Sequence, residues 1–261
     1  MGNYVIFLTV DKHMFDVVRF LAESGVEGFM KDVIHEIMKP GRRKVSSDQA
    51  ETALNYLNVL AEKNDHDALL SLGALHYTGF GDIVPQDYTK AMNYYERAAE
   101  SSEPKDSWAL NNLGYCYFYG RTGENDYKKA YSCFAISAMY GNANAMYKLG
   151  DMYYYGNYAE KDFDASFYWY SLAKQQKIDS DTDYQGFLAA SIAMRIGRAF
   201  LFGEGTKIDL IRALFELRTA ETLFYKQILI GDGFSVGQLP KVKELIRLAQ
   251  DELDLMIRPG D

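Results

Sequence analysis

The feature that most constrains this chain is a dipeptide that returns in register. Leu72-Gly73, Leu113-Gly114, Leu149-Gly150 and, with Ile for Leu, Ile196-Gly197 carry the same neighbours at the same spacing. Four residues before each pair stands a small or apolar residue: Ala68, Ala109, Ala145 and Ile192. Three residues after each glycine stands a ring (His76, Tyr117, Tyr153, Phe200), and six after it a second glycine (Gly79, Gly120, Gly156, Gly203). Residues four apart lie on one face of a helix. Glycine inside a helix costs about 1 kcal/mol against alanine, so its return at one register implies that another helix approaches closely there. The second glycine is placed to stop the helix, since it adopts the left-handed conformation without steric cost.

A second helix follows each stop. Asp87, Asp126, Asp162 and Asp209 are each followed by Tyr88, Tyr127, Phe163 or Leu210, and each Asp is placed to cap a helix N-terminus. The helices so capped carry Ala91, Ala130, Ala165 and Ala213, then a large residue four later (Tyr95, Phe134, Trp169, Leu217). Mostly small residues come three beyond those: Ala98, Ser137, Leu172 and Ala220. Large and small residues at this spacing make a packing seam against the first helix.

These motifs resemble the Sel-one-like repeat, a branch of the tetratricopeptide superfamily, over residues 48–222. The stretch ALLSLGALHYTGFGDIVPQDYTKAMNYYERAAE at 68–100 is a close match. His76 departs from the usual ring, the double glycine is intact only at Gly79/Gly81 and Gly203/Gly205, and the link at 175–189 is long. The resemblance implies an all-α, right-handed α-solenoid of stacked antiparallel helix pairs with a concave face. The expected organisation is one solenoid domain over 1–261: divergent N-terminal helices in 1–47 (about 11–24 and 26–39), repeats in 48–222, and C-terminal capping helices in 223–261. Of the last, 239–257 reads as amphipathic.

Composition excludes several function classes. The formal net charge is −8 and the isoelectric point about 5.1, which is unsuited to phosphate contacts. The one basic cluster, Lys39 to Lys44, is broken by Pro40 and Gly41 and reads as a solvated loop. No nucleic acid is expected as a partner. The first residues lack a basic region and a cleavage site, and no apolar run reaches the ~20 residues of a membrane span; the expectation is a cytoplasmic protein with no membrane partner. Cys116 and Cys133 read as structural thiols, and they and the four histidines have no metal-ligand spacing. No cofactor or metal is expected.

Two motifs invite a catalytic reading. Gly233-Phe234-Ser235-Val236-Gly237 spells the G-x-S-x-G nucleophile elbow. That hydrolase order requires a histidine after the serine, yet His13, His35, His66 and His76 all precede it. A hydroxyl without a base is not activated, so Ser235 reads as part of an interhelical loop. Ser171-Leu172-Ala173-Lys174 matches S-x-x-K, but the chain has no K-T-G or S-D-N partner motif. No catalytic residue is assigned and the protein is read as a non-enzyme.

Binding is the remaining reading. On the first helices, the residue two before each Leu or Ile, one after each glycine and five after it lie opposite the packed stripe. They are Leu70, Ala74 and Thr78; Asn111, Tyr115 and Tyr119; Tyr147, Asp151 and Tyr155; Met194, Arg198 and Phe202. Resemblance to tetratricopeptide grooves assigns the same positions to the concave face. Tyrosine joins a large apolar area to a polar tip at small entropic cost and suits protein recognition. The competing reading buries these rings between neighbouring first helices. Tyr77, Phe118, Tyr154 and Leu201 form a parallel row. The expected function is a non-catalytic adaptor or scaffold that holds a peptide segment or partner protein in this groove. Asp151 and Arg198 would orient the partner, and the acidic surface would favour a basic one. The chain is expected to be a monomer or weak homodimer; the alternative functions are a self-associating structural spacer and an immunity-type binder that neutralises a toxin.

Overall fold

A computed structural model describes residues 47–101, 107–176 and 183–257, and the helices expected at about 11–24 and 26–39 lie outside them. Ten helices run through the described residues: α1 Ser47–Glu62, α2 His66–Thr78, α3 Tyr88–Ser101, α4 Ser107–Phe118, α5 Tyr127–Met139, α6 Ala143–Tyr155, α7 Phe163–Gln175, α8 Asp183–Phe202, α9 Leu210–Leu229 and α10 Gly233–Ile257. No strand is found among them beyond one isolated bridge between Phe80 and Val84. Contacts divide the chain into two compact units between Ala109 and Leu110, inside α4.

In the first unit, α1 buries Ala53, Tyr56, Leu57, Leu60 and Ala61 as a second-type helix should. Asp65 caps α2, accepting from Ala68 N at 3.0 Å. Arg97 of α3 closes the other end of α1, donating to Ala61 O at 2.6 Å and Asn64 Oδ1 at 3.0 Å. In the second unit, two clusters of buried side chains follow one another along the chain. Phe134, Met152 and Tyr170 are prominent in one; Leu217, Phe224 and Ile246 are prominent in the other.

The glycine of each first helix is where the pair closes. A Cβ on Gly114 would lie 2.5 Å from Phe134 Cε1, one on Gly150 2.5 Å from Tyr170 Cε1, and one on Gly197 2.7 Å from Leu217 Cγ. Gly73 is covered by Tyr95 in the same way. A ring in three of the pairs and Leu217 in the fourth press on bare backbone, an approach that a methyl group would forbid. In the third repeat the covering ring belongs to Tyr170, not to the expected Trp169, and the seam there runs through Ser166, Tyr170 and Ala173. The Asp cap sets that phase: Ala91, Ala130, Ser166 and Ala213 all stand four residues after their Asp. Ser166 fits because its hydroxyl donates to Gly150 O at 2.9 Å.

All four Asp residues cap as the sequence implies. Their carboxylates accept from Lys90 N, Lys129 N, Ala165 N and Arg212 N at 2.9–3.0 Å. Each Asp also donates its own N–H to the ring residue of the preceding helix: to His76 O, Tyr117 O, Tyr153 O and Phe200 O at 2.8–3.0 Å. Gly156 shows how the first helix ends. With φ of 73° it turns left-handed and returns its N–H to Met152 O, a conformation that costs an L-residue about 1–2 kcal/mol.

Two boundaries differ from expectation. The link before the fourth pair is shorter, because α8 already begins at Asp183 and buries Leu188, Ala190 and Ile192. The last helix begins at Gly233 rather than 239, with Pro240 inside it. Ser235 therefore lies in the first turn of a helix, fully buried, and its N–H and Oγ both bond Asp232. It serves a helix start and not a loop.

One substitution in two places tests the packing. Gly150→Ala is expected to lower stability by about 1–3 kcal/mol, the cost of overpacking a tight seam. Gly237→Ala, exposed in α10 with nothing near its Cβ, is expected to raise it by up to about 1 kcal/mol. Urea unfolding of both variants measures the difference in sign.

Candidate functional site

The twelve groove positions do not share one environment. Each step of four residues moves about 6 Å along a helix, and in every helix of the second unit the last of the three positions is the most exposed. Asn111, Asp151 and Met194, near the starts and middles of α4, α6 and α8, are buried. Tyr115, Tyr147 and Arg198 are half-buried. At the C-terminal ends, Tyr119 is 47% exposed, Tyr155 55% and Phe202 46%. These nine belong to the second unit. Leu70, Ala74 and Thr78 belong to the first, where Leu70 is half-buried and the other two are exposed. The second unit thus carries an aromatic rim of Tyr119, Tyr155 and Phe202 above a closed floor.

That floor is charged. Asp151 Oδ1 is 3.0 Å from Arg195 Nη2 and accepts from Tyr170 Oη at 2.8 Å. Its Oδ2 is 3.6 Å from Lys148 Nζ. Lys148 is itself only 6% exposed and lies under three rings, 4.5 Å from the centroid of Phe118 and 5.3 Å from those of Tyr115 and Tyr119. It also donates to Tyr119 Oη at 3.3 Å. Arg195 hydrogen-bonds Tyr147 and lies over the rings of Tyr154 and Tyr155 at 5.6 and 5.5 Å. A cation over a ring face is attracted by about 0.5–2 kcal/mol, more as water is removed.

Arg198 occupies the next turn. It holds Glu204 with two bonds, 3.0 and 3.2 Å, and lies between the rings of Tyr154 and Phe202 at 5.2 and 5.3 Å. Tyr154 donates to the same Glu204 at 3.2 Å. The parallel row of Tyr77, Phe118 and Tyr154 turns to the loops instead, packing edge-on or tilted against Tyr88, Tyr127 and Phe163 at 5.2–5.4 Å. Leu201, the fourth of that row, is buried.

Electrostatics keep these phenols neutral. Burial, then the adjacent Asp151, push Tyr147 and Tyr170 well above the ordinary phenol range. Burial works against the Arg195 cation, but Asp151 and the surrounding phenols outweigh it and the guanidinium stays protonated. Among the described residues, no three His, Cys, Asp or Glu side chains converge on a possible metal position.

Residue-by-residue reading missed Lys148, Arg195, Tyr170 and Glu204. Two of them carry a signal in the repeat register: the residue just before the seam Leu or Ile is Ser71, Asn112, Lys148 and Arg195 in turn. The change from short polar groups to long cations coincides with the buried Asp151.

Asp151→Asn is expected to lower stability by about 3–5 kcal/mol, because it strands the buried Lys148 and the partly buried Arg195. Adding Lys148→Met to that variant is expected to recover part of the loss, a coupling that a double-mutant cycle in urea measures. The tyrosines give a second readout. Tyr131 hydrogen-bonds Tyr153 Oη at 2.7 Å, and burial together with that bond raises its pKa to about 12. Its folded pKa exceeds its unfolded value of about 10. Its contribution is therefore complete below pH 10 and is lost as pH rises through 12. An ultraviolet titration is expected to show Tyr131 ionising near pH 12, with Tyr147 and Tyr170 released only on alkaline unfolding.

A family model of the Sel1 repeat matches residues 66–102, 109–142, 143–177 and 192–215. Among solved structures, the Sel1 repeat protein from Oxalobacter formigenes superposes with a TM-score of 0.61 at 19% identity, covering 80% of this chain and 79% of that one. The protein c5321, a protective antigen present in uropathogenic Escherichia coli strains and displaying an SLR fold, superposes with a TM-score of 0.55 at 18% identity. That match covers 91% of this chain and 56% of the antigen, so the chain spans little more than half of the antigen's length. Likeness at these identities is likeness of fold. Four repeats in register, each with its Asp cap and a glycine covered by a large side chain, make this chain a member of the Sel1-repeat proteins.

Proposed function

We propose that this protein is a non-catalytic binding module whose second unit holds a segment of a partner protein against Tyr119, Tyr155 and Phe202. Sel1-repeat proteins typically mediate protein–protein interaction, and the repeat is generally a non-catalytic scaffold. One observation carries the finer reading: three large rings at the same repeat position, each about half exposed, at the ends of successive first helices of one unit. A ring already half covered leaves on the order of 100 Å² for a partner to bury. These rings are also held in place beforehand. Tyr119 is fixed by Lys148 and Arg121, Tyr155 by Arg195 and Phe202 by Arg198. Less rotamer freedom is lost when such side chains bind, which favours affinity.

Site-specific photocrosslinking in source cells tests this reading. A benzoylphenylalanine placed at Tyr119, Tyr155 or Phe202 is expected to capture one and the same protein. The same probe at Lys128 or Asp164, exposed on second-type helices, is expected to capture none. Capture from the outer positions alone would reject the rim as the binding surface. Capture of a second copy of this chain would make the protein self-associating.

A further inference from the structure

We propose that the segment taken by this rim is acidic, with an Asp or Glu side chain settling over Lys148 and Arg195 between Tyr119 and Tyr155. The inference rests on the binding reading above and names the partner's chemistry. Its basis is an imbalance in the floor of the site. Two cations, the buried Lys148 and the partly buried Arg195, face one carboxylate, Asp151. Among the described residues no second carboxylate pairs with either of them. Glu204, the nearest acid on the neighbouring turn, is committed to Arg198 through two bonds and to Tyr154 through a third. Asp151 itself has no oxygen to spare, since it receives Arg195, Lys148 and the Tyr170 hydroxyl together.

Donor capacity is left over on the cation side. Arg195 Nε is buried and bonds nothing, so the pairing with Asp151 leaves part of its guanidinium unused. Ring faces cushion Lys148 but cannot neutralise it. Three cations (Lys148, Arg195 and Arg198) thus stand against two carboxylates (Asp151 and Glu204) in a chain whose formal net charge is −8. The chain-wide charge would attract a basic partner from a distance. At contact, however, charges beyond about 8 Å are screened at physiological salt, and the local surplus decides. In this poorly hydrated site a carboxylate gains from both cations at once, whereas a lysine or arginine would add to the surplus. The exposed rings on either side supply the apolar contacts that hold the rest of the segment.

The test is selection of a phage-displayed library of random peptides on the wild-type protein. Binders are then synthesised as acidic, Gln/Asn and Lys versions and titrated against wild type and variants. Lys148→Met is the main variant: it leaves Asp151 and Arg195 as a one-to-one pair, so the fold is kept. Arg121→Gln is the second, at the surface. The expected result is a selected set enriched in Asp and Glu and binding that weakens at high salt. Lys148→Met, and the Gln/Asn version of the peptide, are each expected to weaken binding about tenfold or more. Enrichment in Lys and Arg, or equal binding of acidic and Gln/Asn versions, overturns the acidic assignment. If such peptides still lose affinity to Tyr119→Ser/Tyr155→Ser, the rim survives as the site. Acidic peptides that bind Tyr119→Ser/Tyr155→Ser and Lys148→Met as well as wild type overturn the rim itself. A selection that yields no peptide overturns both.

Discussion

The contact on which the rest depends is a ring laid on a glycine. Where α6 offers bare backbone at Gly150, the Tyr170 ring approaches closely enough that a Cβ would stand 2.5 Å from it. Dispersion contacts of this kind are individually small and collectively large, and all four repeats use a large side chain in the same way. In the third repeat the contact does more. Tyr170 is pinned by the glycine beneath it, and its hydroxyl therefore arrives at Asp151, 2.8 Å away. That bond, with Arg195 on the same oxygen, orients the carboxylate whose other oxygen faces Lys148. Core packing and the charged floor are one construction seen from two sides.

Above that floor the rim inherits its rigidity. Tyr119, Tyr155 and Phe202 are each exposed and each lie against a cation whose own position is set by a carboxylate or a buried hydroxyl. Surface aromatics usually exchange rotamers freely; these are restrained from below. The arrangement keeps apolar area available to a partner while its supporting charges remain largely out of water. Such charges act strongly because the surrounding protein is less polarisable than solvent.

The helix pairs were readable because each repeat needs the same local chemistry: a stop at glycine, a cap at Asp, a small residue under a ring. Phase was harder. Ala165 and Trp169 reproduce the spacing of Ala91 and Tyr95, but counting from the cap selects Ser166 and Tyr170, and only a serine that can bond Gly150 O makes that register acceptable. The site was readable only in outline. A helical wheel reports which way a residue faces and not what the neighbouring helices lay over it, so Asn111, Asp151 and Met194 share a face with the exposed rings although they are buried. Lys148 and Arg195 escaped notice for a different reason. Long cations ordinarily reach water, and nothing local announces that three rings and a carboxylate will hold one inside.

The bond from each Asp N–H back to the ring residue's carbonyl has a consequence for how this architecture tolerates change. It closes the connecting loop at the same two atoms in every repeat, across nine residues from Tyr117 to Asp126, Tyr153 to Asp162 and Phe200 to Asp209, and across eleven from His76 to Asp87. Once both ends are tied, a longer tip costs little, since doubling a loop's length adds only about 0.6 kcal/mol. The first repeat has already accepted two further residues there, with the Phe80–Val84 bridge formed inside the closed turn. Length can change at the hairpin tips while the helix pairs keep their spacing, but Tyr119, Tyr155 and Phe202 sit two residues inside each closed span, so the same bond that frees the tip also fixes where each rim ring begins.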